Sequence, residues 1–387
     1  MFSERVPRSL EPNHITRAVR RARAAGRPLL DLTITNPTTA GFDYPLSILN
    51  ALASTDALVY EPQPFGLPDA RRAVACDYAR RGFDITPDRI VLTASTSEAY
   101  SLLFKLLCDG SGSAVMVPVP SYPLFDHLTA LDGVQTIPYR LDYDGRWTIA
   151  IDDLERRWTP AVRAVLAVSP NNPTGSVLSA EELHALSSFC AERPAALIID
   201  EVFADYPLKP EAGRIKPDVT GPLTFRLGGL SKSAGLPQVK LGWILVEGPD
   251  VIVREAMDRL EIICDSYLSV STPVQVAARA LIDAGAAVRS QILDRVRTNY
   301  RALQSAASRH SAIDVLHADA GWSAVLRVPS TRSEEDFVLE LLERDNVLVH
   351  PGFFFDFPHE AFVVVSLLPE HQAFSDGVGR LLERADG

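Results

Sequence analysis

From about residue 68 to 246, short apolar, β-branched runs alternate with helix-length amphipathic stretches, and this alternation narrows the possible folds more than any other feature of the chain. The runs Arg89 to Thr93, Ala114 to Pro118, Gly133 to Pro138, Arg163 to Val168, Ala195 to Ile199, Leu223 to Leu227 and Leu241 to Glu247 read as strands. Between them, Ser97 to Cys108, Tyr122 to Leu131 and Ala180 to Glu192 carry helical periodicity. Such a pattern predicts an α/β fold, with a mainly parallel seven-stranded sheet covered by helices on both faces. Ligands of such sheets bind beyond the carboxyl ends of the strands, so polar residues just after a predicted strand are the ones to inspect.

The chain has 387 residues. Single cores stop growing at roughly 250–300 residues, so two lobes are expected. After about residue 250 the texture changes to long helices, Val251 to Ser266, Pro273 to Ala284 and Ala287 to Ser308, and then to strand-like pieces at Trp322 to Val328, Val347 to Val349 and Ala361 to Leu367. The expected division is a large domain over 46–285 and a smaller α+β domain formed by 1–45 with 286–387.

A net charge of −11 argues against nucleic acid as the main partner, because phosphate contacts need clustered Lys and Arg. The one basic cluster, Arg17 to Arg27, spaces its charges as the wet face of a helix whose other face carries Ile15, Ala18, Val19 and Ala22. Four scattered cysteines, Cys76, Cys108, Cys190 and Cys264, form no CxxC pair and read as buried free thiols in a reducing compartment rather than metal ligands. No apolar run reaches the roughly 18 residues needed to span a bilayer, and the N-terminus lacks an apolar leader segment. A cytoplasmic protein without membrane partners is expected.

Three segments carry the chemistry. Ser169-Pro-Asn-Asn-Pro-Thr-Gly175 closes a predicted strand, and its prolines and glycine restrict the backbone around two asparagines; on physics alone it is as good a turn as a site. In Leu197-Ile-Ile-Asp-Glu-Val-Phe-Ala-Asp-Tyr206, Asp200 ends a buried strand, where a carboxylate needs a cation or a helix to cap. Gly228-Gly-Leu-Ser-Lys-Ser-Ala-Gly-Leu-Pro-Gln-Val-Lys-Leu-Gly242 holds Lys232 in a glycine- and serine-rich loop. An amine condenses with a carbonyl only when neutral, and partial desolvation supplies that condition.

In order and approximate spacing, these segments resemble the class I/II aminotransferases, fold-type I enzymes dependent on pyridoxal phosphate (PLP), over nearly the whole chain. The resemblance implies that Lys232 carries PLP as a Schiff base and moves protons as general acid/base, that Asp200 pairs with the pyridine nitrogen, and that Asn172 holds the 3′ oxygen. It implies that Tyr122 stacks on the ring and that Ser95, Thr96 and Ser97, opening a helix, bind the phosphate together with Ser231 and Lys240. Tyr60 resembles the tyrosine that reaches the neighbouring subunit's phosphate, which implies a homodimer with shared sites. Amino and oxo acids are the implied substrates.

Three departures stand out. Phe203 replaces a tyrosine that would donate to the 3′ oxygen. Gly229 replaces a phosphate-binding serine, leaving Ser231 and Ser233 as the hydroxyls available to compensate. In Phe362-Val-Val-Val-Ser366, Val364 occupies the position of the arginine that pairs with the substrate carboxylate, for which Arg327, His350 and Asn36 are the candidate replacements. Val364 and Phe203 also motivate an alternative reading, a PLP-dependent lyase, decarboxylase or C–C bond-forming enzyme.

Overall fold

The computed structural model describes residues 2–209 and 221–387. All seven expected strands form, and an eighth joins them: β1 Ile90–Thr93, β2 Ala114–Val119, β3 Gln135–Tyr143, β4 Trp147–Ile149, β5 Val162–Val168, β6 Ala196–Asp200, β7 Thr224–Gly229 and β8 Gly242–Glu247. The addition has a local cause. β3 runs on past Pro138 to Tyr143, and the Asp144–Gly145 turn folds β4 back antiparallel against its end.

The sheet order is β1-β8-β7-β6-β5-β2-β3-β4. Neighbours β7-β6-β5-β2-β3 are parallel, while β8 runs antiparallel to both β1 and β7. This arrangement brings the carboxyl ends of β1, β2, β5, β6 and β7 to one edge together with the start of β8. Each segment singled out in the sequence therefore reaches the same rim.

Helices Thr96–Leu107, Leu124–Asp132 and Asp250–Asp265 cover one face of the sheet, and Pro68–Arg80 and Ala180–Ala191 the other. The central strands β5 to β8 are buried on both sides, which explains their near-continuous apolar runs, whereas β3 at the sheet's margin is only partly covered. A second sheet of four antiparallel strands, Asp314–Val315, Ser323–Arg327, Phe362–Ser366 and His350–Pro351, packs against helices in the C-terminal third. Leu30–Asp31 pairs in parallel with Val347–Leu348, tying the N-terminal segment to that region.

Where two helices were expected either side of residues 285–286, one helix of 30 residues, Ala278–Ala307, runs through. Gly285 lies inside it, two turns from its start, and an added Cβ there would sit 2.5 Å from Ala234 Cβ. The missing side chain is what lets this helix approach the loop after Lys232. The cysteines are all free, as expected, but only Cys190 and Cys264 are buried; Cys76 faces outward from Pro68–Arg80. No helix among the described residues is long and apolar enough to cross a membrane.

Candidate active site

Asp200 is the last residue of β6 and is buried. Its carboxylate accepts from the Tyr100 hydroxyl at 2.7 Å and from the Val202 amide at 3.0 Å. Burial raises its pKa, against the pull of those two donors and of Lys232. Tyr100 arrives on Thr96–Leu107, so the helix that opens at Ser95 also supports the acid.

Lys232 lies in the short helical turn Leu230–Ser233, just past β7. Its Nζ stands 5.9 Å from the Phe203 ring centre and 5.4 Å from that of Trp322. Burial depresses its pKa, opposed by the charge of Asp200. No hydrogen bond or ion pair engages Nζ among the described residues. The backbone of the loop, by contrast, is held from three directions. Tyr206 donates to the Lys232 carbonyl, Arg289 Nε to the Ser233 carbonyl at 2.6 Å, and the Tyr44 hydroxyl to the Gly235 carbonyl at 2.7 Å.

Asn172 follows β5, and its Oδ1 accepts from Ser323 Oγ at 3.3 Å. Gly175 docks this loop on the segment leading into the small sheet: its carbonyl accepts from the Asp319 and Ala320 amides at 2.9 and 3.0 Å. Gly175 has φ +69°, and a Cβ would meet Ala318 Cβ and the Ala320 carbonyl at 2.6 Å, so glycine is required both by conformation and by space.

Ser95 caps Thr96–Leu107, accepting from the Glu98 amide at 3.1 Å. The Thr96 and Ser97 amides at this rim have no acceptor among the described residues. Glu98 turns back onto the Ala94 amide at 2.6 Å and accepts from Ser269. Gly242 lies against this turn, where a Cβ would sit 3.1 Å from the Ser95 carbonyl carbon, and Lys240, two residues earlier, is exposed with φ +62°. Ser231 is half-buried on the lysine turn. Tyr122, beyond β2, is exposed and edge-on to Phe125. Tyr60 lies in an exposed stretch with Leu58 and Val59, itself 68% exposed.

The departures acquire physical reasons. Gly229 pairs with Gly242, and a Cβ on it would lie 3.2 Å from both Gly242 Cα and the Leu241 carbonyl, leaving little room for a serine. Ser233 offers no compensation, because its Oγ donates to the Gly229 carbonyl at 3.0 Å. Phe203 packs edge-on against Trp322, whose buried indole Nε1 has no partner among the described residues. Arg327 is exposed and paired with Asp314, and Asn36 is exposed with Oδ1 taken up by the Thr38 amide and hydroxyl. Arg327 is thereby committed to Asp314, and Asn36 serves as the cap of the short turn Pro37–Thr39.

Tyr100, Tyr206, Arg289 and Ser323 went unnoticed in the sequence. Tyr100 left one signal, a polar hydroxyl on the apolar face of an amphipathic helix; Arg289 and Ser323 left none. Tyr100→Phe is expected to remove a donor that favours the charged form of Asp200. Its pKa then rises further, and the acidic limb of the rate profile moves to higher pH, with a rate loss equivalent to about 1 kcal/mol at its centre. A pH–kcat/KM profile of the variant beside the native enzyme checks this; superimposable acidic limbs contradict it.

The family model for aminotransferase class I and II matches residues 29–372. Glutamate-pyruvate aminotransferase AlaA of Haemophilus influenzae is 25% identical over 375 residues, covering 92% of this chain and 90% of that protein. Alanine aminotransferase of Mycobacterium bovis is 28% identical over 383 residues, covering 93% and 86%. Among solved structures, alanine aminotransferase from Pyrococcus furiosus resembles the whole fold with a TM-score of 0.87 at 23% identity, over 99% of each chain. With its large mixed sheet, mostly parallel and flanked by helices, beside a smaller sheet, the fold is that of fold-type I aminotransferases. The chain thus belongs to the class I and II aminotransferases, enzymes dependent on PLP.

Proposed function

We propose that this aminotransferase moves an amino group between an amino acid and a 2-oxo acid at a site centred on Lys232. The observation that carries the reading is the presence on one sheet edge of a largely buried Lys232, whose Nζ has no hydrogen-bond or ion-pair partner among the described residues, and a buried Asp200. The residues fit a phosphorylated pyridine aldehyde. Lys232 offers an amine pushed toward neutrality, Asp200 a desolvated carboxylate with capacity for a cationic ring nitrogen, and the Ser95–Ser97 turn two unpaired amides for a phosphate.

When bound, PLP withdraws electrons from the bond broken at the amine-bearing carbon of the substrate. In this reading Lys232 Nζ holds the cofactor and carries the proton at that carbon. Asp200, kept in place by Tyr100, faces the ring nitrogen, Asn172 the 3′ oxygen and Tyr122 the ring face. Ser95, Thr96, Ser97, Ser231 and Lys240 face the phosphate.

Tyr60, exposed beside Leu58 and Val59, would serve the site of a second copy, making a homodimer. The division into a large domain over 46–285, which spans 210–220 outside the described residues, and a small one over 1–45 and 286–387 belongs to the same reading. The four free cysteines support a cytoplasmic location. Alanine and glutamate, named in the relatives, are the first donors to try.

The test is borohydride reduction of the holoenzyme followed by peptide mass mapping. A pyridoxyl label on Lys232, together with conversion of the cofactor's absorbance to that of its amine form on adding an amino acid, is the expected result. A label elsewhere, or carbon dioxide release without that conversion, would sink the assignment.

A further inference from the structure

The face of the small sheet that holds Ser323 against Asn172 also carries Val364, the residue in the arginine position. Side chains alternate along the strands, so Ala324, Leu326, Val363 and Val365 enter the core behind the sheet while Ser323, Val325, Val364 and Ser366 look the other way. The register sets Val364 between Val325 on one neighbouring strand and His350 on the other. Directly paired residues share a face, so His350 stands beside Val364 on the side turned to the site.

The imidazole is half-buried, 5.9 Å from the Phe354 ring and 5.8 Å from the Phe355 ring. The Phe355 carbonyl accepts the Ser121 amide at 3.0 Å, which fixes this turn next to Tyr122. No hydrogen bond or ion pair engages the ring among the described residues. Burial depresses its pKa, with Asp31 opposing. The carboxylates on the elements packed around it are committed elsewhere. Asp31 accepts from Thr33 and pairs with Arg23. Glu334 accepts the Phe353, Ala361 and Phe362 amides at 2.9, 3.0 and 2.8 Å. His350 is therefore an unclaimed donor, with burial favouring its neutral form, at the wall where a guanidinium is missing, whereas Arg327 is held by Asp314 and Asn36 caps the exposed turn Pro37–Thr39.

We propose that His350 recognises the substrate carboxylate in place of the arginine, its N–H donating to one oxygen while the ring takes up a proton as the anion arrives. This rests on the reading of Lys232 as the cofactor-bearing residue. A single donor among Val325, Val364, Phe354 and Phe355 offers no bidentate fork and no second cation, so the substrate class is an amino acid that presents one carboxylate to an otherwise apolar wall.

The experiment is calorimetric titration of the holoenzyme with propionate, the deaminated analogue of alanine, in two buffers of different ionisation enthalpy. Native protein is expected to take up a proton on binding above neutral pH, with Kd weakening as pH rises, because the free ring is neutral and only the complex holds the charge. His350→Phe should weaken binding about 10–100-fold, as loss of a hydrogen bond to a charged group does, and abolish proton uptake. His350→Gln should recover part of the affinity without proton uptake. Val364→Arg in the His350→Phe background should restore binding that is flat with pH.

Borohydride labelling of each protein separates the two levels of inference. An unlabelled Lys232 in native protein overturns the underlying assignment. A labelled His350→Phe protein that binds propionate as the native does, or native holoenzyme that binds none, overturns the role of His350 alone.

Discussion

Replacing Lys232 with alanine is expected to lower turnover by at least about 10²–10⁴-fold, the span typical of a positioned acid/base group, and to leave folding intact. Both halves follow from its surroundings. The side chain makes no hydrogen bond among the described residues and its charged form is penalised by burial, so stability does not depend on it. The loop's shape depends instead on donors to its backbone from Tyr206, Arg289 and Tyr44, none of which the substitution touches. Steady-state rates with alanine and glutamate, beside a urea unfolding curve, check the two halves together. Near-native turnover would remove Lys232 from the chemistry. A collapse in stability would mean that its side chain supports the loop after all.

The second large effect concerns stability. Arg226, on β7, is buried between the buried carboxylate of Glu247 and the half-buried one of Glu201: Nε donates to Glu247 at 2.7 Å, and Nη1 pairs with Glu201, which also faces Arg81 at 3.4 Å. Glu201 directly follows Asp200, so the network lies immediately behind the site. Arg226→Ala is expected to cost about 3–5 kcal/mol, because it leaves the buried Glu247 carboxylate without its partner and Glu201 with Arg81 alone.

The loss should depend on pH. Burial already holds the Glu247 carboxyl above its ordinary range, and without Arg226 that pKa rises further. A group whose native pKa is raised favours the fold below its unfolded pKa and loses that contribution as pH rises through the native value. The variant should therefore be least stable near and above neutral pH and recover part of the deficit in mildly acidic buffer. Urea midpoints from pH 5 to 8 measure this; a pH-independent deficit would contradict the charge argument. Adding Glu247→Gln to Arg226→Ala should recover part of the deficit at neutral pH.

Much of the scaffold could be read before folding. All seven anticipated strands are present, and for all but the partly exposed β3 the cause is a contiguous apolar run whose burial on both faces leaves a local imprint. The fourth strand of the large sheet escaped notice because three residues carry too little periodicity to register. Gly285 offers the reverse case: a glycine that reads as a break proves to be a point of close approach, since helix packing against Ala234 outweighs its weak intrinsic propensity.

What the sequence by itself determined is the order of the seven longer strands and the identity of Lys232, Asp200 and Asn172 as candidates, since each sits in a short contiguous segment whose pattern is legible locally. Only the tertiary structure decided what supports and surrounds them. Tyr100 meets Asp200 across 100 positions of chain, Ser323 meets Asn172 across 151, and His350 stands beside Val364 on a neighbouring strand. The physical reason is that hydrogen bonding and desolvation act over a few ångströms of space, and the pairing of strands, not proximity along the chain, sets which side chains fall within that range.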